Sequence, residues 1–174
     1  MAGPGDLQDL CQELLDAAAA ALDTIPTFEP TLDGAPDRQL ISPGVPVWDC
    51  CPQLAVYATP VNEADTSPGG LTAGKRVKLG RINHVTLSAE IVRCIPADIE
   101  PPAEDITAAS AQTNADAWAL WNHLFNLIES EQLLTLCQEV FFDGITAVSP
   151  SGGCGGWTAN IRIQLDGYSE VLGS

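Results

Sequence analysis

The chain has 174 residues, 45% of them apolar, and a formal net charge of −16 at pH 7. This length predicts a single domain with a core of its own. The negative charge argues against free nucleic-acid binding, because phosphate contacts need a basic surface.

The first predicted element is a helix over residues 6–23, in which apolar residues recur at intervals of three and four. Asp6 is placed to cap this helix and Pro26 to end it. Residues 26–52 hold six prolines, which favour extended segments and turns. We expect an extended arm here, with disorder of Thr31–Gln39 as the alternative.

Two strands are predicted after the arm, Gln53–Val61 and residues 82–95. The second strand alternates between an apolar face and a polar face that carries His84, Thr86, Ser88 and Glu90, which predicts a half-buried antiparallel strand. The segment between the strands, residues 62–81, is predicted to be a long basic hairpin loop.

A long helix is predicted over Ala103–Glu129, because prolines and acidic residues open it and a helical ladder of apolar residues follows. Its first half is so rich in alanine and serine that we expect it to pack closely against another backbone. A short helix is predicted over Glu131–Cys137, with Ser130 as its cap.

The chain closes with a second predicted hairpin. Its strands are Glu139–Val148 and Trp157–Asp166, joined by a flexible connection at Ser149–Gly156. The predicted fold class is α+β: a mainly antiparallel sheet of two hairpins packed against an N-terminal helix and a long central helix, in the order α-β-β-α-α-β-β. Residues 1–174 are expected to form one domain.

No catalytic constellation can be nominated from the sequence. His84 and His123 are the only histidines, and neither belongs to a recognisable Ser-His-Asp or Cys-His motif. The glycine-rich Gly152–Gly156 lacks the Lys-Ser/Thr of a phosphate-binding loop. No C-x-x-C pair is present, so the usual zinc spacing is missing. We therefore expect no enzyme activity, no cofactor and no metal.

The six cysteines are interpreted mainly as small buried side chains. The start MAGPGDLQDL lacks the features of a secretory signal, and no apolar run is long enough to cross a bilayer, so we expect no membrane contact and folding in a reducing cytoplasm. If the first hairpin closes near Val61 and Ile82, Cys50 and Cys51 lie beside Cys94. A cross-strand disulfide formed after release from the cell is then the alternative.

Four of the seven cationic residues lie within one short segment: Lys75, Arg76, Lys78 and Arg81. One interpretation is a solvated loop. The other is a contact with an acidic face of a neighbouring copy, which would join a ring of identical acidic chains head to tail.

Several segments together resemble the tail terminator proteins of long-tailed (siphovirus-type) bacteriophages, especially those of actinobacterial hosts. They are the early helix DLQDLCQELLDAAAAAL, the strands QLAVYATPV and HVTLSAEIVRCIP, the helix ITAASAQTNADAWALWNHL and the final WTANIRIQLDGY. The long proline-rich arm departs from the most compact members of that family.

The resemblance implies an α/β subunit that assembles with copies of itself into a hexameric ring in the neck of the virion. Such a ring caps the tail tube protein, stops its elongation and offers a surface to the head-closure or connector protein. DNA passes through its lumen without sequence-specific binding, and assembly takes place in the host cytoplasm.

Two other functions stay open at this point. One is another neck component, such as a head-closure (stopper) or connector protein, which would share the composition and the ring assembly. The other is a small cytoplasmic enzyme that depends on a cysteine, for which one abnormally reactive thiol would be the sign.

Overall fold

A computed structural model describes residues 4–46, 52–61, 84–98, 100–129, 137 and 139–164. These residues form three helices and one five-stranded sheet. In chain order the elements are α1 (Pro4–Asp23), α2 (Ile25–Phe28), β1 (Arg38–Ser42), β2 (Gln53–Val61), β3 (His84–Cys94), α3 (Ala103–Glu129), β4 (Glu139–Ser151) and β5 (Cys154–Gln164). The predicted α+β class is confirmed.

The sheet has the strand order β1-β2-β3-β5-β4. Both predicted hairpins are present, because β2 pairs antiparallel with β3 and β4 pairs antiparallel with β5. Antiparallel pairing of β3 with β5 joins the two hairpins into one sheet. β3 therefore lies at the centre and β1 and β4 lie at the edges.

β1 was not predicted. It lies inside the proline-rich arm and pairs in parallel with β2, with Arg38 opposite Gln53 and Ser42 opposite Tyr57. The sheet is therefore mixed, and β1 includes Arg38 and Gln39 at the end of the segment for which disorder was the alternative. The part of the arm beyond residue 46 lies outside the described residues, apart from Pro52.

The core lies between one face of the sheet and the helices α1 and α3. The largest fully buried side chains are leucines and isoleucines from both layers. They are Leu10, Leu14 and Leu22 from α1, Leu120 and Leu124 from α3, and Leu54, Leu87, Ile91, Ile161 and Ile163 from the sheet. The helical stripe predicted in the first helix and the apolar face of β3 are thus the surfaces that meet.

The second face of β3 is buried at Ser88 and Glu90, and there the prediction of a half-buried strand is wrong. Ser88 and Glu90 on that face are almost inaccessible to solvent. Their polar groups are paired across strands: Ser88 Oγ donates to Asn160 Oδ1 at 2.8 Å, and Thr158 Oγ1 donates to Glu90 Oε2 at 3.1 Å. Cross-strand hydrogen bonds allow polar residues to occupy a central strand without exposure.

The second hairpin is tighter than predicted. Both strands extend into the segment Ser149–Gly156, and only Gly152 and Gly153 form the turn. Their φ angles are 59° and 81°, a conformation that glycine adopts without steric cost and that suits two-residue hairpin turns.

The predicted bounds of α3 are confirmed, whereas α1 begins earlier than predicted. α3 begins and ends where predicted. α1 begins at Pro4, so Asp6 lies inside the helix and not before its first residue. α1 ends at Asp23 as predicted, and Pro26 occupies the first turn of α2. The predicted helix Glu131–Cys137 lies outside the described residues except for Cys137, which is buried.

Candidate interaction surfaces

The predicted contact residues Lys75, Arg76, Lys78 and Arg81 all lie outside the described residues, and so do Cys50 and Cys51. Cys94 is described: it is the last residue of β3 and its side chain is exposed. The structure places Cys154, the first residue of β5, opposite Cys94 in the sheet.

The outer side of α3 carries exposed aromatic side chains. Trp118 is 69% exposed, Phe125 46% and Trp121 45%. Spacings of three and four residues place these rings on one side of the helix, and the buried Leu120 and Leu124 lie on the other. Exposed tryptophan is unusual on a surface that only faces water, whereas tryptophan is enriched where proteins bind one another.

The same stretch of α3 has almost no charge. Between Ile106 and Ile128 the one charged residue is Asp116, and its side chain is fully buried. A solvated helix face normally carries charged residues. On a chain with a net charge of −16, an exposed face with aromatic rings and without charge has the composition of an interface core. We call this side of residues 106–128 the outer face of α3.

The outer face of α3 adjoins the edge strand β4. Trp121 packs edge-to-face on Phe142 of β4, with ring centroids 5.0 Å apart and an interplanar angle of 74°. The opposite face of β4 carries Phe141 and Asp143, and both contact Arg162 of the neighbouring strand β5. The Arg162 Cζ lies 5.4 Å from the Phe141 ring centroid, and its Nη2 lies 3.3 Å from Asp143 Oδ1. The helix surface is therefore anchored to the rim of the sheet.

A groove lies beside the first half of α3. It has a volume of about 350 Å³ and is lined mainly by apolar and small side chains, among them Ile95, Ile106, Ala109, Ala147 and Trp157. Most of residues 103–115 are exposed, so much of the alanine-rich half is open to a further contact. We call this cavity the α3 groove.

A buried ion pair holds α3 in place. Arg93 at the end of β3 donates from Nε to Asp116 Oδ2 at 2.9 Å and from Nη2 to Asp116 Oδ1 at 2.8 Å. Nη2 also donates to the carbonyl oxygen of Gly34 at 2.7 Å. One guanidinium thus joins β3, α3 and the arm, in the bidentate geometry that makes such pairs strong.

Gln112 completes this cluster. Its side chain donates to Asp116 Oδ1 at 3.1 Å and to the carbonyl oxygen of Asp33 at 3.0 Å, and it accepts from the Asp33 amide at 2.8 Å. Burial raises the pKa of Asp116 above its usual value, while the hydrogen bonds and charge of Arg93 oppose that rise. We call Arg93, Asp116, Gln112 and the backbone of Asp33–Gly34 the clamp.

A smaller polar cluster lies on the second face of the sheet. Tyr57 Oη donates to Glu90 Oε2 at 3.4 Å, and burial together with the Glu90 charge raises the pKa of Tyr57. The buried Gln53 Oε1 has no hydrogen-bond partner in the described structure. We assign these residues a role in ordering the sheet, because none of them lines a described cavity.

The described cysteines bear on the alternative of a cysteine-dependent enzyme. Burial raises the pKa of the Cys11 and Cys137 thiols. A nucleophilic cysteine needs the opposite shift, which favours the thiolate. These two cysteines therefore have the character of core residues, as the sequence predicted.

No protein-family model and no curated protein matches this chain. Within the described ranges, no cluster of His, Cys, Asp or Glu has a geometry suited to a metal ion. None of the described helices is both long and apolar enough to cross a membrane.

Proposed function

We propose that this chain is the structural subunit of a ring that caps a bacteriophage tail tube, as tail terminator proteins do. The observation that carries the proposal is the uncharged, aromatic outer face of α3 on a chain with a net charge of −16. Copies of so acidic a chain repel one another, and they approach most easily through surfaces without charge. The outer face of α3 is such a surface.

A closed ring needs two different surfaces on each subunit, because a head-to-tail contact joins one patch to another. The outer face of α3 offers projecting rings, and the α3 groove offers an apolar depression beside Ile106 and Ala109. In the proposed ring, Trp118 and Phe125 of one subunit pack against the groove of the next. The basic segment of Lys75, Arg76, Lys78 and Arg81 adds a contact to an acidic face or to the tube.

The remaining properties suit a conduit for DNA. An acidic wall repels phosphate, so a duplex can pass the ring without being retained. In this function the ring, with six copies as the expected number, stops elongation of the tail tube protein and presents its other side to the head-closure or connector protein. The subunit is a virion component of the neck and needs no cofactor.

The test is the mass of the native assembly, followed by negative-stain imaging of the protein mixed with purified tail tubes. We expect a ring that sits on tube ends. A strict monomer that ignores tubes would overturn the proposal. A ring that binds a connector and not a tube would assign the chain to another position in the neck.

The contact surface is tested by the double variant Trp118→Lys with Phe125→Lys, which places charge on the outer face of α3. Phe28→Lys is the matched control, because Phe28 is 80% exposed and lies on α2, outside this face. We expect the double variant to stay monomeric with an unchanged circular dichroism spectrum, and the control to assemble. Assembly of both variants would show that this face is not the contact.

A further inference from the structure

The two cysteines at the joint between β3 and β5 lie directly opposite each other. Cys94 and Cys154 are partners in the antiparallel register. The next pair along the ladder is Ile95 with Gly153, and the Ile95 amide donates to the Gly153 carbonyl at 2.8 Å. Hydrogen-bonded and non-hydrogen-bonded pairs alternate in antiparallel sheets, so Cys94 and Cys154 form a non-hydrogen-bonded pair.

This kind of pair has a backbone separation that a disulfide can bridge. Opposite Cα atoms at non-hydrogen-bonded sites lie roughly 4.5 Å apart, and disulfides span Cα separations of roughly 4.4–6.8 Å. Both side chains project to the same face of the sheet, because opposite residues of a ladder share a face. Bond formation therefore needs side-chain rotation and little movement of the backbone.

The surroundings give the two thiols different access to solvent. Cys94 is exposed, whereas Cys154 is buried directly after the Gly152–Gly153 turn. A small reagent can reach Cys94 first, and Cys154 is in place to attack next. This pairing differs from the one that the sequence suggested, in which Cys94 pairs with Cys50 or Cys51.

We propose that Cys94 and Cys154 form a cross-strand disulfide when the protein meets a small-molecule disulfide such as oxidised glutathione. The Cys94 thiolate attacks one sulfur of the reagent, which gives a mixed disulfide and releases one small thiol. The Cys154 thiolate then attacks the Cys94 sulfur and releases the second small thiol. The protein loses two electrons and two protons, and the reagent gains them.

The bond would close a loop that contains α3 and β4. A cross-link over so long a loop restricts the unfolded chain and stabilises the folded one. Reducing conditions during synthesis leave the subunit as dithiol, and an oxidising environment after release then fixes the joint between β3 and the second hairpin. The inference stands independently of the proposed ring.

The experiment treats the full-length protein with oxidised glutathione or with dithiothreitol, blocks remaining thiols by alkylation, and maps linked peptides by mass spectrometry. We expect a Cys94–Cys154 linkage in the oxidised sample alone. In the double variant Cys50→Ser with Cys51→Ser, the linkage should still form, and oxidation should raise the urea midpoint of unfolding. In Cys154→Ala, neither the linkage nor the rise in midpoint should be seen.

Three results would overturn the inference. They are a linkage of Cys94 to Cys50 or Cys51, a stable mixed disulfide on Cys94 with Cys154 still open to alkylation after unfolding, and full alkylation of both cysteines after oxidation. Because the linked peptides are mapped in the unsubstituted protein, the test does not depend on whether the variants fold.

Discussion

Removal of Arg93 tests how the chain holds α3 against the sheet. The substitution Arg93→Met keeps much of the side-chain length and removes the guanidinium, which makes three hydrogen bonds of 2.7–2.9 Å within the clamp. Asp116, whose side chain is fully buried, would then be left as a carboxylate without its cationic partner. Breaking a buried pair in this way costs about 3–5 kcal/mol.

That cost is a large part of the stability of a single domain, which is about 5–15 kcal/mol. With a urea m-value of about 2 kcal/mol/M, the denaturation midpoint should fall by about 1.5–2.5 M. Arg162→Met is the matched control, because Arg162 makes a half-exposed ion pair with Asp143 at 3.3 Å. Exposed pairs contribute at most about 1 kcal/mol.

The double variant Arg93→Met with Asp116→Leu removes both charges from the clamp. It should recover most of the loss, because an apolar pair needs no desolvation of ions. Gly34 is a half-buried residue, and its carbonyl oxygen loses the Arg93 donor in this variant as it does in Arg93→Met. Equal losses for Arg93→Met and Arg162→Met, or a double variant that costs as much as the two single ones together, would refute this reasoning.

The pH dependence of Arg93→Met follows from the same geometry. Burial already raises the pKa of Asp116, and without Arg93 nothing of comparable strength opposes the rise. A carboxyl whose folded-state pKa is raised binds its proton more tightly when folded, so its contribution to stability is present at low pH and is lost as pH rises through the folded-state pKa. The stability gap between wild type and Arg93→Met should therefore narrow as the pH is lowered from neutral, as urea titrations at successive pH values would record.

Two further substitutions give separate tests. Replacing Lys75, Arg76, Lys78 and Arg81 together by alanine should weaken ring formation or tube docking, measured by native mass and tube imaging, and unchanged assembly would remove the basic segment from the proposed contact. Gly156→Ala should cost about 3 kcal/mol or more in urea unfolding, because the added methyl would overlap the carbonyl oxygen of Ile91 in the neighbouring strand. Gly44→Ala is its control: beyond the adjacent residues of the chain, no atom lies within 4 Å of the added methyl. A loss as large as that of Gly156→Ala would contradict the steric argument.

The features that local pattern determines were predicted well. α3 has its predicted bounds because Pro101 and Pro102 precede it and acidic residues occupy its first turn. The two hairpins were predictable from alternation. The tight turn was missed because Gly152 and Gly153 are part of a longer glycine-rich segment that favours a loop by composition.

The features that depend on distant contacts could not be predicted. β1 lies in a proline-rich segment, and its parallel pairing with β2 gives no local signal. Arg93 and Asp116 are 23 positions apart, and Gln112 and Asp33 are 79 apart. The burial of Glu90 depends on partners from two other strands, Tyr57 and Thr158.

The outer face of α3 did have a sequence signal. A run from Ile106 to Ile128 with one acidic residue is uncommon in so acidic a chain. The sequence led us to expect only that its alanine-rich first half packs closely against another backbone. The structure adds that Trp118, Trp121 and Phe125 of this run are exposed and that its one acidic residue, Asp116, is buried.

Ionic strength separates the two contacts proposed for the ring. At physiological salt the Debye length is about 8 Å, so charges farther than that from an interface contribute little repulsion. A contact made by the outer face of α3 and the α3 groove brings no formal charge from residues 106–128 into the interface, and its strength should change little between low and high salt. A contact made by Lys75, Arg76, Lys78 and Arg81 with an acidic neighbour should weaken steeply as salt rises. If assembly persists in high salt, the aromatic face carries the ring and the basic segment assists encounter; if rings dissociate in high salt, the basic segment carries it.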